Sequence, residues 1–125
     1  MKIRIKDNSI RLRLTQKEVS RFADHGLVLA TTQFAVGMQF TYALQASSDT
    51  EEISASYERN RITVHVPKTI ADHWTSTEEV GFEAQMRNDT EEGLYLLVEK
   101  DFACMMPRAH EDESDNYPNP LAKST

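Results

Sequence analysis

The sequence has little of what staples or anchors a chain. It has a single cysteine, Cys104, in 125 residues. No disulfide can form within the chain, and a reducing location, the cytoplasm, is expected. No apolar run approaches the length needed to cross a bilayer, so no membrane association is expected. The opening Met-Lys-Ile-Arg-Ile-Lys alternates charge with isoleucine and lacks the unbroken apolar region of a signal peptide. Positive charge is also short: 14 Lys and Arg against 20 Asp and Glu give a net charge of −6. Such a balance argues against nucleic acid as the main partner. No glycine-rich phosphate cradle, CxxC pair, HxxxH pair or catalytic triad is recognisable, so an enzyme is the weaker expectation and no cofactor is implied.

What the chain has is alternation. Ile3 and Ile5 alternate with Lys2, Arg4 and Lys6; Ile10, Leu12 and Leu14 alternate with Arg11 and Arg13. Period two on both sides of Asp7-Asn8 predicts a hairpin pairing Ile5 with Ile10 and Ile3 with Leu12. Thr15-Gln16-Lys17-Glu18 is a capping box opening a short helix with Val19, Phe22 and Ala23 on one face, stopped by Gly26. Strands are predicted at Leu27 to Thr32 and Met38 to Ala46.

The pattern then begins again. Ala55 and Tyr57, a turn at Arg59-Asn60, and Ile62, Val64 and Val66 repeat the hairpin. Pro67 suits a first helical position, and Ile70, Ala71 and Trp74 give a second helix an apolar face. Val80 to Met86 and Leu94 to Glu99 are the last strands expected. A shift of 52 residues lays Asn8 on Asn60, Leu12 on Val64, Phe22 on Trp74 and Val28 on Val80. The expected fold is therefore mainly β with two short helices (α+β). Tandem ββαββ repeats, 1–46 and 51–100, form a pseudo-twofold small β-barrel in one domain, 1–100, because one such unit cannot bury both its faces alone. Residues 101–125 are expected to be an acidic, proline-containing extended tail.

Two resemblances bear on this. The run from Arg61 to Ile70, followed by Glu79-Val80-Gly81-Phe82-Glu83, resembles the swapped-hairpin domains of the AbrB/MazE type. That resemblance implies intertwined repeats, and a transcription regulator or antitoxin as one alternative function. The opening fifteen residues and the closing Asp-Glu-Ser-Asp-Asn-Tyr-Pro-Asn-Pro look like a small bacterial family of uncharacterised proteins, which implies no catalytic residues.

Two features suggest sites. In the predicted register Arg4 faces Arg11 and Lys2 faces Arg13, whereas the second hairpin puts Ser56 opposite Thr63 and Ser54 opposite His65. Like charges across a ladder are destabilising, so the basic face is not a demand of the fold. Lys2, Arg4, Arg11 and Arg13 are candidates for binding an anion, unless the acidic second half or tail neutralises them. In the tail, Cys104, His110, Glu111 and Asp112 offer a thiol, an imidazole and carboxylates to a metal ion, the basis of a second alternative, a small metal protein or enzyme. The expected function is a non-enzymatic binding module whose basic hairpin contacts an anionic ligand or a protein partner.

Overall fold

The computed structural model describes residues 1–102 and 114–118. Strand β1 (Lys2–Lys6) pairs antiparallel with β2 (Ser9–Leu14), with Ile5 opposite Ile10 and Ile3 opposite Leu12, as the alternation predicts. Helix α1 (Gln16–His25) opens on the capping box, in which the Thr15 amide donates to Glu18 Oε1 at 3.0 Å. It closes at Gly26, whose left-handed backbone (φ 70°) lets its amide donate to the Phe22 carbonyl. Strands β3 (Leu27–Ala35) and β4 (Met38–Ser47) form the second hairpin. It runs three residues past the expected end at Thr32, because Thr32 and Gln33 still find partners in Phe40 and Gln39.

The second half follows the same order: β5 (Ser54–Glu58), β6 (Arg61–Pro67), α2 (Lys68–Ser76), β7 (Gly81–Met86) and β8 (Leu94–Lys100). Arg59 and Asn60 both take positive φ (50° and 61°), as a two-residue hairpin turn of the primed kind requires. Pro67 sits one position earlier than expected. It ends β6 and precedes the helix, with an extended ψ of 138°. Among the described residues no helix is long and apolar enough to cross a membrane.

The halves interlock. One sheet, sheet A, has the order β1-β2-β8-β7; the other, sheet B, has the order β3-β4-β6-β5. Each half thus gives one hairpin to each sheet, and the two hairpins of a sheet meet through a parallel central pair, β2 with β8 and β4 with β6. Exchanging the halves turns one strand order into the other, which is the pseudo-twofold expected from the repeat. The ladders form two four-stranded sheets, and no ladder among the described residues closes them into one barrel.

The repeat carries a gap that a single shift of 52 conceals. Val28 faces Leu44 on β4, and the corresponding partner of Val98 on β8 is Phe82, not Val80. The Ala46 amide donates to the Gly26 carbonyl, and the Lys100 amide donates to that of Val80. Val80 is therefore the counterpart of Gly26, and beyond the second helix the correspondence moves by two residues. The extra residues lie in Thr77-Glu78-Glu79-Val80, between α2 and β7.

Between the sheets and under the helices lies a continuous core of Leu12, Leu14, Val19, Phe22, Val28, Leu44, Val64, Val66, Trp74 and Val98. Full burial of such side chains is worth about 1.5–3 kcal/mol each. Phe22 and Trp74, the expected anchors of the two helices, meet edge-on at 6.2 Å, and Trp74 meets Phe82 edge-on at 5.3 Å. The indole N–H donates to the Val80 carbonyl at 3.1 Å, so this buried ring leaves no polar atom unpaired.

Candidate anion-binding face

Because strand side chains alternate, β1 and β2 turn Ile3, Ile10, Leu12 and Leu14 inward and present the other set on the outer face of sheet A. Two rows of that face carry the candidates. Lys2, Arg13, Glu99 and Gly81 are aligned across the four strands, and so are Arg4, Arg11, Leu97 and Glu83. The like-charge pairs Arg4–Arg11 and Lys2–Arg13 are present in the expected register.

The parallel pairing of β2 with β8 supplies a counter-charge that the hairpin alone lacks. Glu99 Oε1 accepts from Arg11 Nε at 2.6 Å and from Arg13 Nε at 2.9 Å, so one carboxylate bridges two guanidinium groups. Lys2 Nζ lies 3.2 Å from the buried carboxylate of Asp101, the residue that follows β8. Three of the four expected anion ligands, Lys2, Arg11 and Arg13, are thus held by Glu99 on β8 and by Asp101 just beyond it. The acidity of the second half and tail implies such neutralisation without identifying the residues. Glu99 and Asp101 become visible only when β8 is placed beside β2.

Arg4 and Lys6 are different. Both are exposed, and neither has an acidic partner among the described residues. With Ser9, Arg11, Tyr95 and Leu97 they line a groove of about 230 Å³ on this face. The one further carboxylate in Arg4's row, Glu83, accepts a hydrogen bond from the Tyr95 hydroxyl. That bond to a carboxylate raises the pKa of the phenol above its ordinary value near 10, with smaller contributions from burial and from the charges of Glu83 and Glu99. The register places Tyr95 on the outer face, at the groove. A second concavity, of about 340 Å³ and mainly apolar, opens between the sheets at the end away from the helices, lined by Ile5, Ile10, Phe40, Tyr57, Ile62 and Leu94.

The described part of the tail docks elsewhere. The Asp115 carbonyl and carboxylate accept from the Gln16 and Lys17 amides (3.1 and 3.3 Å), at the start of α1 where free amides favour an anion. The Tyr117 amide donates to the Asp101 carbonyl at 2.8 Å, and the Tyr117 ring lies against Phe102 and over the buried Lys100 amine. That amine donates to the Thr77 carbonyl at 2.7 Å beyond the end of α2, and burial pulls its pKa below the usual lysine value. So Asp115, in the acidic tail, serves α1 and not the basic hairpin. The metal candidates Cys104, His110, Glu111 and Asp112 lie outside the described residues. Among the described residues no three His, Cys, Asp or Glu side chains gather as a metal site would need. His65 shares a hydrogen bond with Ser56 at 2.9 Å, and His73 pairs with Glu79 at 2.8 Å.

A family model matches residues 1–121, the fold and nearly all of the tail. The chain belongs to a family of unknown function, DUF7009. No curated protein and no solved structure matches it. The extent of the match agrees with the structure, since Asp115 and Tyr117 are built against α1 and β8 rather than trailing from them.

Proposed function

We propose that this protein is a binding module that receives an acidic group, on a protein partner or a small ligand, between Arg4, Lys6 and Arg11 on the outer face of sheet A. The observation that carries the proposal is the contrast within one patch of cations. Lys2, Arg11 and Arg13 have carboxylate partners, while Arg4 and Lys6 have none among the described residues and line the groove. Arg4 directly opposite Arg11 is a repulsive arrangement that the fold does not need, because Ser56 and Thr63 occupy the same places in the second hairpin. A carboxylate or phosphate between the two guanidinium groups would convert that repulsion into charge-assisted hydrogen bonds. The exposed apolar residues Ile5 and Tyr57 beside the neighbouring concavity would add contact area for a larger partner.

Retention on immobilised heparin across a salt series tests this. Wild-type protein should bind at low salt, and Arg4→Glu with Lys6→Glu should abolish retention while the thermal midpoint stays within a few degrees. Removing each cation that meets an anionic group should flatten the logarithmic salt dependence by roughly 0.7–0.9. Equal retention of wild type and variant would sink the proposal. Competition by polyglutamate against duplex DNA then separates an acidic-protein ligand from the nucleic-acid alternative.

A further inference from the structure

Among the described residues four strand edges end the two sheets: β1 and β7 in sheet A, β3 and β5 in sheet B. An unpaired edge is a template for another strand, and soluble proteins blunt such edges with charge, proline, shortness or a covering element. Three of the four are blunted here. Strand β1 has five residues, three of them cationic. Strands β5 and β7 are short, each carries a glutamate, and they meet one another, with the Ala55 amide 3.2 Å from Met86 Sδ.

Strand β3 is the exception. Its nine residues, Leu-Val-Leu-Ala-Thr-Thr-Gln-Phe-Ala, make it the longest edge, and it contains no charge and no proline. Every residue from Thr31 to Ala35 is exposed. The β3–β4 hairpin also outruns its sheet. The pairing of β4 with β6 stops at Thr41 opposite Arg61, so residues 32–40 extend past the last rung as a two-stranded arm. The one protective device is a register shift between Gln33 and Ala35, near the tip, which leaves Leu27 to Gln33 regular. Four large apolar residues crowd this hairpin: Leu29 is 47% exposed, Phe34 72%, Val36 97% and Met38 63%. They add apolar surface beside the edge, where a stable complex takes about 600–1,000 Å² from each partner.

We infer that β3 is the contact surface for a second copy of this chain, the two β3 edges pairing antiparallel about a twofold axis near Thr31. The charge pattern selects this occupant. About a twofold axis the residue on the axis faces its own copy and the others face residues equally far beyond it, so an edge with Arg4 on the axis and Lys2 against Lys6 repels itself, while one with Thr31 on the axis and Leu29 against Gln33 does not. Two chains of net charge −6 also need an uncharged meeting place. Pairing supplies the missing backbone hydrogen bonds of β3 and brings Leu29 and Phe34 beside side chains of the second copy. The inference does not rest on the anion groove, which lies on the other sheet.

Sedimentation equilibrium of the full chain across micromolar concentrations is the test. The expected result is a monomer–dimer equilibrium that high salt does not dissolve. Thr31→Lys and Phe34→Lys, both at exposed positions, should each weaken dimerisation by roughly tenfold or more. Mixing Thr31→Lys with Thr31→Glu should restore a dimer, since unlike charges then meet at the axis. Hydrogen exchange of the wild type gives a readout that needs no variant: amides of residues 29–35 should be protected in concentrated solution and lose protection on dilution. A chain that stays monomeric overturns the inference and leaves the edge to a strand of a different protein. A dimer whose β3 amides exchange freely, or one indifferent to Thr31→Lys and Phe34→Lys, also overturns it.

Discussion

The outer faces of the two sheets occupy equivalent places in a pseudo-symmetric molecule and differ in almost every residue. Where sheet A has Arg4, Arg11, Leu97 and Glu83 in a row, sheet B has Ser56, Thr63, Ala43 and Leu29. The next row sets Lys2, Arg13 and Glu99 against Ser54, His65 and Gln45. The inner faces agree instead: Leu12 with Val64, Leu14 with Val66, Phe22 with Trp74, all buried. Burial constrains both copies to one apolar pattern, since a polar group without a partner in the core costs about 1–3 kcal/mol. The outer faces carry no such shared demand: Thr63 and Ala43 are buried at the centre of sheet B, while Arg11 and Leu97 are partly exposed at the equivalent places of sheet A. The charged face and the bare β3 edge are therefore properties of the individual copies, and both binding proposals rest on places where the copies part.

The largest effect is expected at the shared inner face. Phe22→Ala and Trp74→Ala should each cost about 3–5 kcal/mol, read from denaturant midpoints, because each leaves a cavity where the helices of the two copies touch. Similar losses are expected, since the rings contact one another; a loss from only one would show that the copies do not share a core equally.

A smaller effect is expected at Gly81, whose counterpart on sheet B is Leu27. A Cβ at Gly81 would lie 2.4 Å from the Val98 carbonyl oxygen and 2.9 Å from the Glu99 Cβ. Gly81→Ala should therefore destabilise by about 1–3 kcal/mol through overcrowding. Leu27→Ala, where a side chain already fits, should cost less, and thermal denaturation of the pair compares the two.

Smaller still is Glu99→Gln, which removes the carboxylate bridging Arg11 and Arg13 at partly exposed positions. Such pairs are worth about 0–1 kcal/mol, so stability should hardly move. Heparin retention should rise, because two more guanidinium groups become available beside Arg4. Unchanged retention would mean that the groove is not the site.

The pH dependence sharpens the same contrast. Burial raises Tyr42 and Tyr117 above their ordinary value near 10, with help from Glu18 and Asp115 respectively, and the bond to Glu83 raises Tyr95. A group with a raised folded pKa contributes stability that is present in full below its unfolded pKa and lost as pH rises through the folded one. Stability from these tyrosines should hold up to about pH 10 and fall above it. Lys100, lowered by burial, acts in the opposite sense: its cost is relieved as pH rises toward the unfolded lysine value of 10.5. Absorbance of tyrosinate in native and denatured protein checks the first part. Glu83→Gln should bring one tyrosine back toward its ordinary titration.

The sequence by itself determined the hairpins, the two helices with their capping box and stop, the register of Arg4 on Arg11, and the duplication. All are local matters of period, turn chemistry and capping, decided by residues a few positions apart. It also marked Phe22 and Trp74 as equivalent anchors, because helical spacing puts them on apolar faces. Only the tertiary structure decided which hairpin lies beside which. That choice brings Glu99, eighty-six residues from Arg13, onto the basic face, puts Tyr95 outside, and leaves β3 at an edge with no strand beyond it among the described residues. Alternation specifies which face of a strand is buried, but it does not say which strand lies beside it. Which neighbour a strand takes depends on packing the whole core at once, and no stretch of sequence states it.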